Sequence, residues 1–269
     1  MALGLTIIYG VLYIPDFALA HKGMIGAYVC YYLVALLKMN YWVAILCSMV
    51  LVGFLGILSE KLVYRPTLKS GQHVNGFIAS FGILVFLESF ALIFFGSQYK
   101  RIYTQYYAQI ITIFGVTFTM QRLLVVLTAL ATIGGLQLFI RRTAVGLAIR
   151  AVSQEPEGAL LMGINVKGIS LLTNAIGSAL AGLAASLIAP ITLVLPAMGH
   201  ATILKAFIII VLGGMGSIPG AILGGYVIGL TESLGAAFIS SAFKDVFPFG
   251  ALIVILAVRP TGIFGKAAT

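Results

Sequence analysis

The chain has 269 residues, of which 61% are hydrophobic and only 9% are charged, and its mean hydropathy is +1.13. Because soluble domains carry about 25% charged residues, this composition excludes a soluble fold and indicates an integral membrane protein. A net charge of +9 would suggest nucleic-acid binding in a soluble protein. Here the basic residues lie mainly between apolar runs, which indicates membrane topology and no nucleic-acid partner.

Continuous apolar runs cover most of the chain and predict transmembrane helices, because transmembrane strands would alternate apolar and polar residues. The runs span residues 1–14, 22–38, 41–59, 75–96, 121–140, 168–189, 203–214 and 218–236, with a ninth at 246–258. They predict an all-α fold, a polytopic transmembrane helix bundle of about eight helices. No linker or low-complexity stretch separates them, so residues 1–269 are predicted to form one transmembrane domain.

The first run, 1–14, is shorter than the roughly 20 residues of a comfortable span. It also lacks the basic leader of a secretory signal peptide. We therefore expect no cleaved signal and a first helix of which this chain contains only the later part.

Lysine and arginine accumulate in three regions, the gap 60–74, the gap 141–167 and the C-terminus. The positive-inside rule predicts that all three are cytoplasmic. The opposite face would then hold Lys38, Lys100, Arg101 and Lys244. The loop 97–120 carries Tyr99, Tyr103, Tyr106 and Tyr107, and these residues predict an interfacial aromatic segment on the outside.

A glycine-rich stretch, LGGMGSIPGAILGG at 212–225, follows the short run 203–214. Glycine and proline both weaken a helix interior, so we predict a broken or short helix near 203–220. Broken helices at membrane depth often bound a transport path. The candidates for lining such a path are Gly213, Gly214, Gly216, Ser217, Pro219 and Gly220. The alternative is a tight turn between two packed helices, with glycine chosen for closeness.

Two acidic residues, Glu88 and Glu232, fall inside predicted spans. A charge buried in lipid costs several kcal/mol unless it is paired or hydrated. Either residue is therefore a candidate for lining the translocation path or relaying protons. The structural alternative is a protonated acid, or one hydrogen-bonded to hydroxyls such as those of Ser89, Thr231 and Ser233.

A polar island, RAVSQEPEGALLMGINV at 150–166, lies between two long apolar runs. Pro156 suits the first turn of a helix and acidic residues suit its positive end, while Gly163 suits its termination. A short amphipathic helix on a membrane face is a docking surface for a soluble partner. The candidate docking residues are Arg150, Glu155, Pro156, Glu157, Ala159, Met162, Gly163 and Ile164. The alternative is a solvated loop.

No constellation of residues indicates catalysis. The histidines His21, His73 and His200 share no metal-ligand spacing, and no phosphate-binding glycine loop or nucleophile elbow is present in the sequence. The sequence therefore predicts a protein that is not an enzyme, with no metal site and no cofactor of its own. Any ATP that drives it must be bound, with Mg²⁺, by partner chains.

The motif EPEGALLMG, at 155–163, resembles the coupling loop of ABC importer permeases, and the wording from 150 to 166 is similar to the branched-chain amino acid permeases. Four further segments resemble that family in the same order: EKLVYRPTL at 60–68, LGGMGSIPGAILGG at 212–225, SSAFKDVFPF at 240–249 and RPTGIFG at 259–265. The resemblance covers essentially the whole chain and is closer to the H-type than to the M-type subunit.

This resemblance implies a permease domain with a cytoplasmic coupling loop at about 141–167, in the plasma (inner) membrane of a bacterial-type cell. It implies that the chain is surrounded by membrane lipid and forms a heterodimer with a second permease subunit. It also implies two cytoplasmic ABC ATPases and an external substrate-binding protein as partners. The implied function is import of branched-chain or other neutral amino acids into the cytoplasm.

One departure stands out, because the family usually has Asn-Phe-Ala-His-Gly after its first helix, whereas this chain has Asp-Phe-Ala-Leu-Ala at 16–20. That difference keeps a second interpretation open, an ABC permease for urea or short amides. A third interpretation is a proton-coupled secondary carrier that uses Glu88 or Glu232 and works without ATP.

Overall fold

The computed structural model describes residues 1–68, 73–104, 106, 109–113, 116–239, 246–259 and 262–264. The helices of the first half are α1 (Ala2–Leu12), α2 (Leu19–Ala35), α3 (Tyr41–Ser59), α4 (Arg65–Leu68) and α5 (His73–Phe95). Those of the second half are α6 (Met120–Arg142), α7 (Ala144–Gln154), α8 (Pro156–Leu161), α9 (Val166–Ile188), α10 (Met198–Gly213), α11 (Ile218–Phe238) and α12 (Val246–Val258). The prediction of an all-α, polytopic helix bundle is confirmed.

Five of the described helices are long and apolar enough to cross a membrane. They are Tyr41–Leu68, Val74–Phe95, Met120–Arg142, Val166–Ile188 and Ile218–Phe238. The first of these is one rod, because a π-helical turn (Glu60–Tyr64) joins α3 to α4. Helices α1, α10 and α12 are shorter and apolar.

Local sequence explains where many helices begin. The side chains of Asn40, Thr143, Asn165 and Ser217 each accept a hydrogen bond from a backbone N–H of the first turn of α3, α7, α9 and α11, respectively. Proline lies in the first turn of both α8 and α11, where its missing N–H is not needed. Helix α1 ends at Leu12, and the next residue, Tyr13, has a φ of 55° in the left-handed region.

Helix α9 is the centre of the bundle and packs against α1, α2 and α3. The contacts are backbone-close. A Cβ atom on Gly177 would lie 2.8 Å from the Gly4 carbonyl oxygen, and one on Gly26 would lie 3.1 Å from the Gly182 Cα. Only glycine permits such an approach, as is usual where membrane helices pack tightly.

The loop predicted at 97–120 contains one element that the sequence reading missed. Strands β1 (Ile110–Ile113) and β2 (Val116–Thr119) pair antiparallel as a short hairpin. Upstream of it, Lys100 and Val194 exchange backbone hydrogen bonds of 3.0 and 2.9 Å, which join this loop to the segment after α9. Tyr107 lies outside the described residues.

The described parts of the three basic regions lie at one end of the bundle. Hydrogen bonds between distant parts of the chain mark this end: Tyr13 to Ser153 (2.8 Å), Arg65 to Lys167 (3.3 Å) and Ile263 to Leu212 (2.9 Å). Lys69, Lys244 and Lys266, and the motif positions 240–245, 260, 261 and 265, lie outside the described residues.

Candidate coupling surface and translocation path

The polar island folds as two short helices, α7 and α8, joined by an extended residue. Ile149 and Val152 of α7 are buried against the bundle, while Arg150 faces outward. Glu155 has φ −148° and ψ 91°, so the chain turns there before Pro156 starts α8. The predicted helix therefore exists as α8, with Pro156 in its first turn, and the extended Glu155 separates it from α7, as expected for a residue that precedes proline.

Helix α8 presents an apolar surface. Ala159 is buried, at 5% exposure, and holds the helix on the bundle. Leu160, Leu161 and Met162 are 63%, 88% and 84% exposed, and Glu155 and Glu157 are exposed beside them. An open groove of about 590 Å³ lies along the same helix, lined by residues that include Glu157, Leu160 and Ile164. Large apolar side chains that are exposed beside polar residues at the end of a bundle are candidates for a protein contact.

Gly163 terminates α8 by a defined motif. Its φ is +83°, its N–H donates to the Leu160 carbonyl, and the N–H of Ile164 donates to the Ala159 carbonyl, both at 3.0 Å. This pair of bonds is the Schellman arrangement, which favours glycine because the residue is left-handed. The helix is thus fixed in length and in direction.

Hydrogen bonds join the polar island to the end of α1, and join α4 to the first turn of α9 just after the island. Tyr13, just past the end of α1, donates its hydroxyl to the Ser153 carbonyl at 2.8 Å. Desolvation and the nearby Glu155 carboxylate raise the pKa of the Tyr13 phenol, so it remains a neutral donor. On the other side, Arg65 donates to the Lys167 carbonyl at 3.3 Å and pairs with Glu60 at 3.0 Å.

The glycine-rich stretch folds as a turn between two packed helices. Helix α10 ends at Gly213, and Gly214 and Gly216 have φ values of +97° and +82°. The backbones of Gly213 and Gly220 touch so closely that a Cβ atom on either would overlap the other. Pro219 and Gly216 are exposed, Ser217 is half-buried, and Gly213, Gly214 and Gly220 are buried. This geometry agrees with the second of the two alternatives, a tight turn between packed helices. That these residues line the translocation path stays a prediction.

Both acids within the spans have basic partners on α10. The Glu88 carboxylate lies 2.9 Å from His200 Nε2, and Glu232 accepts a bond of 2.7 Å from Lys205 Nζ. The four side chains are between 24% and 48% exposed. Lys205 was not recognised in the sequence because its partner lies on another helix. The spacing of the histidines likewise gave no sign that His21 and His200 meet, with ring centroids 4.8 Å apart.

A fully buried ion pair joins Lys22 of α2 to Asp16 in the loop before α2, and Asn174 of α9 contacts it. Lys22 Nζ is 2.7 Å from Asp16 Oδ2, and both side chains are at most 2% exposed. Tyr64 donates to Asp16 Oδ1 at 2.6 Å, and Lys22 also reaches Asn174 Oδ1 at 3.5 Å. The charges are therefore paired and hydrogen-bonded, the condition under which charged groups persist inside a protein.

Comparison with known proteins identifies the family. A family model described as the branched-chain amino acid transport system / permease component matches residues 1–256. The chain belongs to this family.

Curated relatives of the permease agree over its whole length. The high-affinity branched-chain amino acid transport system permease protein BraD of Pseudomonas aeruginosa is 34% identical, and the match covers 99% of this chain and 91% of BraD. LivH of Escherichia coli is 33% identical, with 99% and 90% covered. The probable LivH of Methanocaldococcus jannaschii is 29% identical, with 98% and 87% covered. No solved structure matches the chain.

These matches confirm the resemblance to the H-type permeases drawn from the sequence. The family is one of transport permease components rather than enzymes, and the five long apolar helices make this permease a membrane protein. The departure at 16–20 also has a structural counterpart, because Asp16 carries a charge that Lys22 balances.

Proposed function

We propose that this permease is one of two membrane subunits of an ABC importer that moves branched-chain amino acids, or other neutral amino acids, into the cytoplasm. The second permease subunit would be a different chain. Two cytoplasmic ABC ATPases would bind ATP–Mg and supply the energy, and an external binding protein would deliver the substrate. This chain would then need no cofactor of its own.

The observation that carries the proposal is the surface of α8. A short helix at the end of the bundle buries one small residue, Ala159, and presents Leu160, Leu161 and Met162 to its surroundings. Fully burying one leucine in a partner's groove is worth about 1.5–3 kcal/mol. A helix in a groove is a recurring mode of recognition, and an ATPase groove would suit this surface.

The contacts of the polar island explain how motion would reach the membrane. Because Tyr13 and Ser153 join α1 to α7, and Arg65 joins α4 to the start of α9, a shift of the island would be transmitted to α1, and a shift of α9 to α4. When the two ATPases bind ATP and close on each other, they would therefore move α8. That motion would tilt α1 and α9 between inward-open and outward-open arrangements.

The charge distribution supports the orientation. The end that holds the described parts of the three basic regions, including residues 141–167 and the C-terminal segment, would be cytoplasmic by the positive-inside rule. The membrane would be the plasma (inner) membrane of a bacterial-type cell. The hairpin of β1 and β2 would then lie on the external side of the membrane.

The half-exposed ion pairs support a path along α10. Glu88–His200 and Lys205–Glu232 are polar groups in apolar helices, and such groups usually face water or another protein rather than lipid. A zwitterionic amino acid needs weak polar contacts along its path, because it must also leave. Paired acids and bases offer such contacts without a net charge that would trap it.

The test uses the complete transporter, purified in detergent from cells that express all its subunits. Leu161→Glu should reduce recovery of the ATPase at least about tenfold, since tenfold corresponds to about 1.4 kcal/mol. Met215→Glu is the matched control, because Met215 is also an exposed apolar residue in the turn at the same end.

Equal recovery of the ATPase with both variants would contradict the docking role of α8. Recovery of no ATPase with the unaltered chain, together with uptake in vesicles that lack ATP, would favour a secondary carrier instead. In ATP-driven uptake, competition by leucine and not by urea or acetamide would support the proposed substrate class, and the reverse would favour the amide interpretation.

A further inference from the structure

Three helices bring two imidazoles and one carboxylate together, with His21 buried, Glu88 half-buried and His200 exposed. His21 comes from α2, Glu88 from α5 and His200 from α10, and their ligand atoms all lie within 4.8 Å of one another. His200 Nε2 and Glu88 Oε2 are already 2.9 Å apart. The three residues are far apart in sequence, so only the fold assembles this cluster.

His21 is the member of the cluster that needs an explanation. Its side chain is fully buried, yet neither Nδ1 nor Nε2 has a hydrogen-bond partner among the residues that the structure describes. Buried polar atoms are nearly always satisfied, and an unsatisfied one in a native protein calls for an explanation such as a ligand or an ion. The ring is also held in place, because it packs on Gly199, where a Cβ atom would lie 2.7 Å from it.

We propose that His21, Glu88 and His200 form a binding site for a divalent first-row transition-metal ion, of which Zn²⁺ fits best. Two imidazoles and one carboxylate are the protein ligands of a common zinc site that leaves a fourth position for water. Mg²⁺ and Ca²⁺ prefer sites built from oxygen ligands, so two nitrogen donors select against them.

The geometry needs only a small adjustment to receive the ion. Metal–ligand bonds of about 2.0–2.1 Å in a tetrahedral site place the ligand atoms about 3.4 Å apart. His21 is fixed, whereas His200 and Glu88 have side chains that are 48% and 24% exposed and therefore have room to turn. The Glu88 carboxylate supplies the negative charge that a dication requires.

Two lysines near the cluster in the sequence each have an acidic partner other than Glu88. Lys22, next to His21 in the chain, pairs with Asp16 at 2.7 Å, and Lys205 pairs with Glu232 at 2.7 Å. The ion would replace the Glu88–His200 pair and join α2, α5 and α10. On the proposed function, the path for the substrate runs along α10 beside the Glu88–His200 pair, so an ion bound to these two residues should inhibit uptake.

The experiment measures metal binding directly, so that it does not depend on transport. The full chain is purified in its complex with a histidine-free affinity tag and titrated with Co²⁺, whose visible absorption reports a four- or five-coordinate site with nitrogen ligands. We expect saturation at one ion per chain and displacement by Zn²⁺. His200→Ala and Glu88→Gln should each weaken binding at least about tenfold, since even outer-shell changes cost 10–100-fold.

Glu232→Gln is the matched control, because it removes the acid of the other ion pair and should leave the Co²⁺ affinity unchanged. The half-exposed residues are chosen for substitution because the fully buried His21 is also a packing residue. As a second measurement, Zn²⁺ should raise the thermal midpoint of the unaltered protein but not that of His200→Ala.

The proposal is overturned if Co²⁺ fails to saturate, or if His200→Ala and Glu88→Gln bind it as tightly as the unaltered chain. Zn²⁺ inhibition of uptake that His200→Ala relieves would link the site to transport. Metal binding without any ATP-driven uptake would overturn the proposed function and leave the metal site standing.

Discussion

Helices α6 and α9 have the same length and opposite environments. Each has 23 residues and is apolar enough to span a membrane, but 56% of the most apolar window of α9 is buried, against 11% for α6. The buried residues of α9 are mostly small or polar, such as Thr173, Asn174 and Gly177. The exposed residues of α6 include large apolar ones, such as Leu127 and Leu130.

The comparison teaches that hydropathy identifies a span, whereas residue size identifies its place in the bundle. Lipid tails are as apolar as leucine, so large apolar residues gain little by leaving lipid, and helices associate through close packing and hydrogen bonds. Small residues therefore collect on α9, and α6 offers its leucines to lipid or to a second subunit.

The largest expected effect comes from filling a close contact on α9. Gly177→Leu would force a side chain into Ile8, whose Cδ1 lies 2.6 Å from the position of the added Cβ, and into the Gly4 carbonyl oxygen at 2.8 Å. Because the second of these is backbone, the helices must separate. We expect loss of most monodisperse protein, measured by size-exclusion chromatography in detergent.

The control is Gly134→Leu on α6, where an added Cβ meets nothing within 4 Å. Leucine favours a helix by roughly 1 kcal/mol over glycine, so yield should be unchanged. A loss of protein with Gly134→Leu as severe as with Gly177→Leu would mean that another subunit, and not lipid, covers α6.

A smaller but still large effect is expected from the buried ion pair beside α9. Asp16→Asn leaves Lys22 without its carboxylate, and breaking a buried pair costs about 3–5 kcal/mol. The thermal midpoint should fall sharply, and the double variant Asp16→Asn/Lys22→Met should recover much of the loss because no uncompensated charge remains.

The exposed Arg141 of α6 provides the comparison, because Arg141→Met should change stability by no more than about 0.5 kcal/mol. An Asp16→Asn variant as stable as the unaltered chain would show that the pair contributes nothing to the fold.

The smallest expected effect distinguishes hydrogen bonds between helices from those within a helix. Ser186 of α9 lies 2.7 Å from Ser48 and 3.3 Å from the Gly26 carbonyl, so it joins three helices. Ser186→Ala should destabilise the protein by about 0.6 kcal/mol. Thr128 of α6 bonds within its own helix, at 2.6 Å to Leu124, and Thr128→Ala should have almost no effect. Thermal midpoints that fall equally would contradict the distinction.

Apolar runs located most of the helices in the sequence to within a few residues. The errors fall where polar residues lie inside helices. Helix α2 begins at Leu19 rather than at 22, because His21 interrupts the apolar run, although it is buried in the fold. Helix α10 begins at Met198 rather than 203, since Gly199 and His200 interrupt the run in the same way.

The β-hairpin had a signal in the sequence that the analysis of apolar runs did not use, namely the β-branched residues on either side of Phe-Gly in ITIFGVTFT at 111–119. The local features of the polar island were readable from sequence, because a proline start and a glycine stop act within one turn. The pairing of Glu88 with His200, 112 positions away, was not readable, because it depends on how α5 and α10 pack.

The π-helical turn at Glu60–Tyr64 determines the direction in which the later side chains of the rod Tyr41–Leu68 point. Such a turn holds one residue more than an α-turn, so the segment beyond it is rotated by about 100°. That offset aims Tyr64 at Asp16 and returns Arg65 to Glu60. Deleting a single residue there would leave the rod long enough to span the membrane. The rotation would, however, turn Tyr64 away from Asp16 and remove its hydrogen bond to the buried ion pair. The length of the span and the direction of its side chains are therefore set independently.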